Sequence, residues 1–303
     1  MAGFDAVLRA DGVALLRAGQ RNQLARYPLH MHVLTGWSGN SSYVRACTVE
    51  DSYFRAVTIH GTNGAHLQRL VAYNVAGNAV YMEDGLEEEN VIEFNLVAHT
   101  MAIGIWAGGG AQVGARFCAG CVVPRQGYMP FSRSELLQGA DTTSSGFYLP
   151  NQWNVVRGNI ASGGWSGFAF PNMPRAMGLA TGRGSRYREP LNRPVLEMWG
   201  NTAHSSGHTW ATGACYYLGG QIDYRVEGDV NSGIMYNSGR IGRRTTDPDG
   251  IPVPTYFNDT RAHLCRQSHN HWGTAVDVYR TEVYDSYQGP VLFGTAVLKD
   301  AWL

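Results

Sequence analysis

Three short segments near the start of the chain share one pattern of apolar and polar positions. Each is apolar at its first and third positions and carries His, His or Glu at its fourth; the segments are 29–32 (LHMH), 57–60 (VTIH) and 80–83 (VYME). Successive side chains of a strand point to opposite faces, so the apolar positions face one side and the fourth positions share the other. The pattern therefore predicts three strands aligned in one register.

The spacing of these segments indicates the kind of repeat. His60 follows His32 by 28 residues, Glu83 follows His60 by 23, and a fourth segment, 103–106 (IGIW), follows after another 23. Periods of this length are typical of stacked repeats, and an alternation of period two excludes helical repeats. We predict an all-β fold, a right-handed parallel β-helix (β-solenoid), whose hand follows from the crossover rule for parallel strands. Its core would stack Met31, Ile59, Met82 and Ile105.

Further coils are visible along the chain. Segments 155–161, 167–170 and 197–207 repeat the pattern, and 256–293 resembles one or two more coils. An asparagine followed by two small or apolar residues recurs at Asn95, Asn159 and Asn201. Because stacked asparagines can hydrogen-bond the backbone of one turn to the next, we expect them at one corner of the helix.

A second corner is expected at Thr62-Asn63-Gly64, between two successive strands. A tight turn there requires positive φ at Asn63 or Gly64, and glycine tolerates that conformation without a Cβ clash.

Composition agrees with a chain rich in turns. Of 303 residues, 38 are glycine and 16% are charged, which is unlike a helical protein. We interpret residues 1–303 as a single β-helix domain, because a solenoid grows by adding coils. The repeat starts almost at once, so we interpret the chain as a fragment or core of a longer protein. Long loops are expected at about 107–146, 174–194 and 237–255.

The charge balance restricts the possible partners. A net charge of zero argues against nucleic acid, because phosphate binding needs a basic stripe. No segment approaches the roughly 20 apolar residues of a membrane span, so we expect no membrane insertion within this chain. The first residues do not form a secretory signal.

Arginines gather in two of the loops. Such clusters could bind the carboxylates or sulfates of a polyanion, but solvated loop charge is the commoner explanation. The clusters are Arg183, Arg186, Arg188 and Arg193, and Arg240, Arg243 and Arg244.

The five cysteines cannot all pair among themselves. Cys118 and Cys121 form a single C-x-x-C, which is a weak zinc signal without a second pair. We expect a local disulfide there and buried thiols at Cys47, Cys215 and Cys265.

The outward positions of the three segments carry the candidate chemistry. Neutral imidazoles and a carboxylate can bind zinc or another transition metal, so the candidate metal ligands are His30, His32, His60 and Glu83. The same row could instead perform acid/base catalysis, with His32, His60, Glu83 and Asp84 as catalytic residues. The competing interpretation is a structural ladder of polar groups that satisfy each other. No organic cofactor is indicated.

Aromatic residues flank the row. Tyr81 shares the outward row of His30, Trp106 continues the row of Glu83, and Trp37 lies in the insertion that lengthens the first spacing. An exposed ring beside a polar site can stack on a sugar, so all three are candidate substrate contacts. Each ring taken alone is more often packing.

An acidic run follows the third segment and contains Glu83, Asp84, Glu87, Glu88, Glu89 and Glu93. It would repel a polyanionic glycan unless a cation offsets it. Calcium is the natural ion for carboxylate oxygens. For Glu87 to Glu89 we expect a solvated turn instead.

Three motifs, in this order and spacing, resemble the parallel β-helix core of the cell-migration-inducing and cell-surface hyaluronidase family; they are 26–32 (RYPLHMH), 57–64 (VTIHGTNG) and 82–87 (MEDGLE). Fibrocystin-like proteins share a looser version. The similarity is dense from about residue 20 to 100 and thinner over 154–207 and 256–278, and the loops at 107–146 and 174–194 match nothing.

The resemblance implies a polysaccharide partner, hyaluronan or another uronate-containing glycan, and a secreted or cell-surface location. Beside such a site, Arg26 would pair with a substrate carboxylate or with Glu83. Asp84 would orient an imidazole.

Three classes of function stay open. A glycan-degrading enzyme, a hydrolase before a lyase, is the first hypothesis because the polar row and the resemblance agree. A non-catalytic glycan- or protein-binding module of a fibrocystin-like surface protein is the second, and a metal-dependent oxidoreductase is the third. A glycan panel incubated with and without chelator separates them by fragments, retention or oxidised ends.

Overall fold

The structure is a computed structural model that describes residues 2–3, 6–21, 23, 25–34, 37–101, 143–178, 189–208, 213–224, 234–237, 251, 253–273 and 275–303. Within these ranges the chain winds through three parallel sheets, which we call A, B and C, and places its strands in them in that order, coil after coil. The predicted all-β parallel solenoid is confirmed.

Sheet A is built from β1 (Ala2–Gly3), β4 (Leu29–His32), β7 (Val57–His60), β10 (Val80–Met82), β13 (Ser145–Tyr148), β16 (Ser166–Asn172), β19 (Ala214–Tyr224), β23 (His269–His271) and β26 (Val291–Leu292). One strand departs from the parallel arrangement, since β20 (Ile234–Asn237) pairs antiparallel with β19.

Sheet B is built from β2 (Arg9–Asp11), β5 (Tyr43–Arg45), β8 (His66–Gln68), β11 (Val91–Glu93), β14 (Val155–Arg157), β17 (Glu197–Trp199), β21 (Thr255–Asn258), β24 (Ala275–Tyr279) and β27 (Thr295–Lys299). Sheet C is built from β3 (Ala14–Leu16), β6 (Thr48–Ser52), β9 (Val71–Ala76), β12 (Leu96–Met101), β15 (Ile160–Gly163), β18 (Thr202–His204), β22 (Arg261–His263) and β25 (Glu282–Tyr284). A one-turn helix, α1 (Trp37–Asn40), and a 3-10 turn at Pro190–Asn192 lie outside the sheets. No helix in the described ranges is long and apolar enough to cross a membrane.

The predicted register of sheet A is confirmed. Strand β4 pairs with β7 so that Met31 lies beside Ile59 and His32 beside His60, and β10 pairs with β7 so that Met82 lies beside Ile59. All three apolar residues are fully buried. Each such side chain contributes about 1.5–3 kcal/mol to the free energy of folding.

The predicted fourth strand of this row is wrong. The strand that pairs with β10 is β13, which brings Tyr148 beside Tyr81, so segment 103–106 does not occupy that place. Ile105 and Trp106 themselves lie outside the described residues. The coil spacing of the first sheet A strands is interrupted before β13, so a constant period does not locate the next strand. The expected loop at 107–146 also overlaps the start of β13.

The turn from sheet B to sheet C repeats one backbone shape in successive coils. The residue that follows each sheet B strand adopts a φ between 49° and 66°; these residues are Gly12, Ala46, Arg69, Phe94, Gly158, Gly200, Asp259, Arg280 and Asp300. The repeated φ gives the chain the same change of direction after each sheet B strand. Stacked coils therefore keep equivalent residues in line.

The asparagine ladder stands directly after this turn, as predicted. The backbone N–H of Asn95 donates to Oδ1 of Asn159 at 3.1 Å, and that of Asn159 donates to Oδ1 of Asn201 at 3.0 Å. Thr260 and Thr281 take the same position in the next two coils, with their hydroxyls 3.0 Å apart. These bonds satisfy buried amides that the sheets leave unpaired.

A column of rings fills part of the core under sheet A. Phe147, Phe168, Tyr216 and His269 stack in successive coils with ring centroids 4.7, 5.2 and 4.7 Å apart. His269 and the nearby His271 are completely buried. Burial lowers the pKa of His269 to about 3. Burial, together with the neighbouring His269, lowers the pKa of His271 well below its usual value, so both imidazoles are neutral at physiological pH.

The cysteine prediction is partly wrong. Cys215 and Cys265 form a disulfide that joins positions 50 residues apart, because the winding of the coils brings these two distant segments together. Cys47 is a buried free thiol, as expected. Cys118 and Cys121 lie outside the described residues.

The outer face of sheet A carries a second apolar cluster. It comprises Tyr81, Tyr148, Trp165, Ala169, Met173, Met177, Ala214, Tyr217 and Ile222, with Trp272 packed against it. Met173 and Met177 come from the segment that follows β16, which folds back over the sheet. The face that the alternation predicts to be outward is therefore covered here.

The corner at Gly64 gives the first prediction. Gly64 has a φ of 73°, as predicted, and a Cβ there would collide with the Asn40 side chain. We expect Gly64→Val to lower the free energy of unfolding by about 1–3 kcal/mol, through backbone strain and overlap. Urea unfolding measures this. Gly289→Val is the control, because a Cβ at Gly289 meets nothing within 4 Å; equal losses in both variants would contradict the assignment.

The buried histidines give a prediction on pH. Between about pH 6.5 and pH 3 the unfolded chain binds a proton at position 269 that the folded chain does not, so the free energy of unfolding falls as pH falls. We expect His269→Phe, which continues the ring stack, to remove up to about 1.4 kcal/mol per pH unit of this dependence. Urea titrations between pH 4 and 7 measure it. The slope of the parent protein is the reference, and an unchanged slope in His269→Phe would contradict the prediction.

Candidate functional site

Three imidazoles meet on the outer face of sheet A, at the ends of β4 and β7. The ring centroids of His30 and His60 lie 5.7 Å apart and the rings are stacked. His32 meets both rings edge-on, at 5.1 Å from His30 and 4.8 Å from His60. The parallel register produces this group, because it places the fourth residue of β7 beside the fourth residue of β4.

His60 lies between two carboxylates that directly follow β10. Its Nε2 is 2.9 Å from Oδ2 of Asp84, and its Nδ1 is 3.6 Å from Oε2 of Glu83. One ring nitrogen thus has a hydrogen-bonded carboxylate, while the other faces Glu83 and His30. Such a carboxylate fixes the orientation and tautomer of an imidazole.

The row is buried, although the alternation predicts that it lies on the outward face of the strands. His30 is 1% exposed, His60 6%, Glu83 7% and Asp84 2%, whereas His32 is only half-buried. Backbone atoms of the segment after β16 approach Asp84 directly. The N–H of Met177 donates to the Asp84 carbonyl at 3.0 Å, and Gly178 lies against the Asp84 carboxylate.

Burial and charge divide the histidines into two kinds. Burial, with the neighbouring rings of His60 and His32, lowers the pKa of His30 to about 3. Burial also opposes the protonation of His60, but the hydrogen bond to Asp84 and the negative charges of Glu83, Asp84 and Glu87 outweigh it and raise the pKa of His60 to about 9. A neutral and a protonated imidazole therefore stack on each other at pH 7.

The turn after Glu83 is held by Glu87, so the expectation of a solvated turn is wrong for this residue. Glu87 is fully buried, and its carboxylate accepts hydrogen bonds from the N–H groups of Gly61, Asp84 and Gly85 at 2.8–2.9 Å. Burial and the nearby Asp84 raise the pKa of Glu87 to about 7. The three bonds shape the loop that presents Asp84 to His60.

Glu88 is also buried rather than solvated, because it pairs with Arg193. Arg193 Nε lies 2.7 Å from Glu88 Oε1, and Asn151 donates to the same oxygen at 3.0 Å. Arg193 is thus a structural cation and not loop charge in solvent. Of the other clustered arginines, none lies in the described part of the chain. Glu89 is exposed, as expected.

The expected exposure of Tyr81 is wrong. Its ring is fully buried, stacked on Tyr148 at 4.9 Å and covered by the guanidinium of Arg55, which lies 3.4 Å from the ring centroid. Arg26 is exposed on a turn, and no ion pair joins it to Glu83 in the residues that the structure describes. Trp37 lies in α1, but its side chain, like all of Trp106, is outside the described set.

Residues 1–210 match the family model described as the CEMIP beta-helix. The chain belongs to the CEMIP beta-helix family. This match confirms the resemblance and covers every described strand from β1 to β18, including the whole imidazole row.

Curated relatives agree with this membership. Communication mutant protein F and Protein rliB of Dictyostelium discoideum are 40% and 39% identical to 96% of the chain, which spans only 25% of each of them. Human Fibrocystin-L is 30% identical over 201 residues, which are 66% of this chain and 4% of that protein. This CEMIP beta-helix chain therefore spans about a quarter of the length of these two Dictyostelium relatives.

Three residues of the row could hold a metal ion. One ligand atom from each of His30, His60 and Glu83 lies within 4.8 Å of the others. Neither ring nitrogen of His30, nor Nδ1 of His60, has a hydrogen bond of standard geometry to any described residue. This fits a centre that would use them as ligands, with the bound ion displacing the proton of His60. His32, the fourth predicted ligand, is not part of this set. Calcium at the carboxylates stays a prediction.

Arg55 is the site residue that the sequence does not reveal. It is fully buried and adopts a φ of 56°, and its guanidinium also lies over the rings of Phe54 and Tyr27 at 4.6 and 5.3 Å. Nothing in the local pattern distinguishes it from a surface arginine before a strand. The positive φ of Arg55 accompanies a side chain that packs among the rings of Tyr27, Phe54 and Tyr81.

The ligand set gives a prediction on metal uptake. Zinc added to the purified protein should bind near one equivalent, measured by elemental analysis after gel filtration, and His60→Gln or Glu83→Gln should abolish this uptake. Asp84→Asn should weaken the affinity about 10- to 100-fold, because Asp84 orients His60.

The matched control is His66→Gln, which removes a partly exposed histidine hydrogen-bonded to Glu93. It should bind zinc as the parent does. Uptake that is absent in the parent, or equal in all variants, would show that the row is a structural ladder.

Proposed function

We propose that this chain is the catalytic β-helix of a glycan-degrading protein and that it hydrolyses uronate-containing polysaccharide, such as hyaluronan, at the cluster around His60. The observation that carries the proposal is the placement of His60, Asp84 and Glu83 together in a buried site, where the pKa of His60 is raised to about 9. Such clusters concentrate at functional sites.

The two carboxylates would have different roles. Asp84 fixes His60 through the hydrogen bond at Nε2 and stabilises its protonated form. Glu83, with an oxygen 3.6 Å from Nδ1 of the same ring, would accept a proton from the water that attacks the anomeric carbon. The protonated His60 would donate its proton to the glycosidic oxygen as the carbon–oxygen bond breaks. His32, which is half-buried, would be the member that a substrate meets first.

A divalent ion can be accommodated in this scheme. His30, His60 and Glu83 would hold it, and when bound it would supply Lewis-acid polarisation of an oxygen or activation of a water. The chain's own contribution would be the orientation of the ring by Asp84 and the exclusion of bulk water by the covering segment.

Internal pairing reduces the charge that an acidic glycan would meet. Glu88 is neutralised by Arg193, and Glu93 by Arg157, whose Nε lies 2.7 Å from its carboxylate. The same carboxylate also forms a 2.8 Å hydrogen bond with Nε2 of His66. The repulsion expected from the acidic run is therefore largely compensated within the fold. A uronate-bearing substrate is compatible with this surface.

A location outside the reducing cytosol belongs to the same proposal. The disulfide between Cys215 and Cys265 would be stable in an oxidising compartment. We propose that the protein is secreted or exposed at the cell surface.

The burial of the cluster favours a second candidate. Four of its residues are at most 7% exposed, which a non-catalytic glycan- or protein-binding module with an internally satisfied polar ladder would also show. Turnover decides between the two.

The test is incubation of the protein with hyaluronan and a panel of other polysaccharides, with fragment size measured by chromatography. We expect fragments from hyaluronan or another uronate glycan. His60→Gln and Glu83→Gln should reduce the rate about 10²- to 10⁴-fold, the usual contribution of an acid/base group.

The control is again His66→Gln, which should retain the parent rate. A glycan that is retained by the protein but never cut would support the binding module. Cleavage that is unaffected by both cluster variants would place the active site elsewhere.

A further inference from the structure

A pocket of about 360 Å³ opens at the turn from sheet C to sheet A in the first coils. It is lined by Arg17, Arg21, Asp51, Ser52, Tyr53, Asn74, Ala76 and Met101. The volume falls within the range of small-molecule sites, about 300–1,000 Å³. None of these residues belongs to the imidazole row.

The stacking of coils builds the wall of this pocket. Arg17, Asp51 and Asn74 each follow the same position of a sheet C strand, and all three adopt positive φ, between 52° and 55°. Their side chains therefore leave the same corner in three successive coils. Asn74 Nδ2 donates to Oδ1 of Asp51 at 2.7 Å, which holds the amide and the carboxylate together.

The pocket has a net positive charge, carried by two arginines that form no ion pair with a described residue. No ion pair among the described residues uses Arg17 or Arg21, whereas Arg45, Arg157, Arg261 and Arg280 all have acidic partners. Asp51 is the one acidic residue of the lining, so the two guanidiniums leave an excess of one positive charge. That excess suits a ligand with one carboxylate.

The remaining lining suits a sugar ring. Tyr53 is 50% exposed and Met101 is 37% exposed, so an aromatic face and an apolar edge are open to a ligand. Aromatic faces pack on the apolar side of sugars and leave the hydroxyls free to bond. Asp51 and Asn74 supply an acceptor and a donor at the same corner.

We propose that this pocket is a subsite for one uronate unit of an acidic polysaccharide. Arg17 and Arg21 bind the carboxylate, Tyr53 packs against the ring, and the Asp51 and Asn74 pair binds hydroxyl groups. The identity of the glycan rests on the proposed function, but the pocket chemistry does not require cleavage.

The subsite adjoins the imidazole row through one layer of rings. Ala76 of the pocket belongs to a cluster with Phe54 and Tyr27, and Tyr27 contacts His30 with centroids 4.9 Å apart. The pocket and the row thus lie on the two sides of this small cluster. The pocket would anchor a bound chain, and the row would be the place of reaction.

The test is calorimetric titration of the protein with a hyaluronan hexasaccharide, performed in the Glu83→Gln background so that turnover does not consume the probe. We expect binding that weakens about tenfold in Arg17→Gln with Arg21→Gln, and about fivefold in Tyr53→Ala. Chitohexaose, a neutral oligosaccharide of equal length, should bind at least tenfold more weakly than the acidic probe.

Arg9→Gln is the control, because Arg9 is an exposed arginine of the same coils on sheet B. It should leave the affinity unchanged, and thermal unfolding should show that all variants are folded. Equal affinity for both oligosaccharides, no binding at all, or loss of affinity equally in Arg9→Gln would overturn the subsite.

The two proposals fail in different ways. Hyaluronan cleavage by the parent that depends on His60, with hexasaccharide affinity unaffected by the arginine variants, would overturn the subsite and leave the catalytic proposal standing. Hexasaccharide binding that depends on Arg17 and Arg21, without any cleavage by the parent, would support the subsite and overturn the catalytic proposal.

Discussion

The in-register stacking of successive coils is the constraint on which the rest of this molecule depends. Parallel strands place equivalent residues side by side, so any residue type repeated at the coil spacing becomes a column. Inside, the columns are apolar or aromatic, as at Met31, Ile59 and Met82. At the corner between sheets B and C, the column is Asn95, Asn159 and Asn201, whose amides satisfy one backbone after another. The same rule gathers the imidazoles.

The imidazole row is buried because the segment after β16 packs over the outer face of sheet A. A polar row on the outside of a solenoid would ordinarily be hydrated, and its pKa values would stay near those of free side chains. Here Tyr81, Tyr148 and Tyr217 make the outer face of sheet A apolar, and Met173 and Met177 pack on it. The segment that carries these methionines also closes over Asp84. Removal of water strengthens each remaining electrostatic interaction. As a result His30 is neutral and His60 is protonated at pH 7.

The acidic residues around the site show how the fold handles unfavourable charge. Glu87 is satisfied by three backbone N–H groups, and Glu88 by an arginine from more than 100 residues away in the chain. Burial of the carboxylates of Glu87 and Glu88 costs desolvation free energy, which their hydrogen bonds and the ion pair offset. Their partners make the turn rigid, so that the carboxylate of Asp84 is held at the ring of His60. Cation and carboxylate are also balanced along sheet B, where Arg157 lies with Glu93.

The sequence by itself determined the repeat, the register and the identity of the row. Alternation over strands and a near-constant spacing are local properties, and they suffice to align His32, His60 and Glu83 and to bury Met31, Ile59 and Met82. The asparagine ladder and the positive φ of Gly64 follow for the same reason. Only the tertiary structure decided which outward residues are exposed. The cover on sheet A, the partners of Glu87 and Glu88, the place of β13 beside β10 and the disulfide of Cys215 with Cys265 all join segments that are distant in sequence. The repeat spacing does not predict these contacts, because they depend on where the chain rejoins the stacked coils after an insertion. Arg55 shows what the sequence pattern does not predict. Its neighbours Ala56 and Val57 predict a strand, but only the folded turn places its guanidinium in a buried position against the ring of Tyr81.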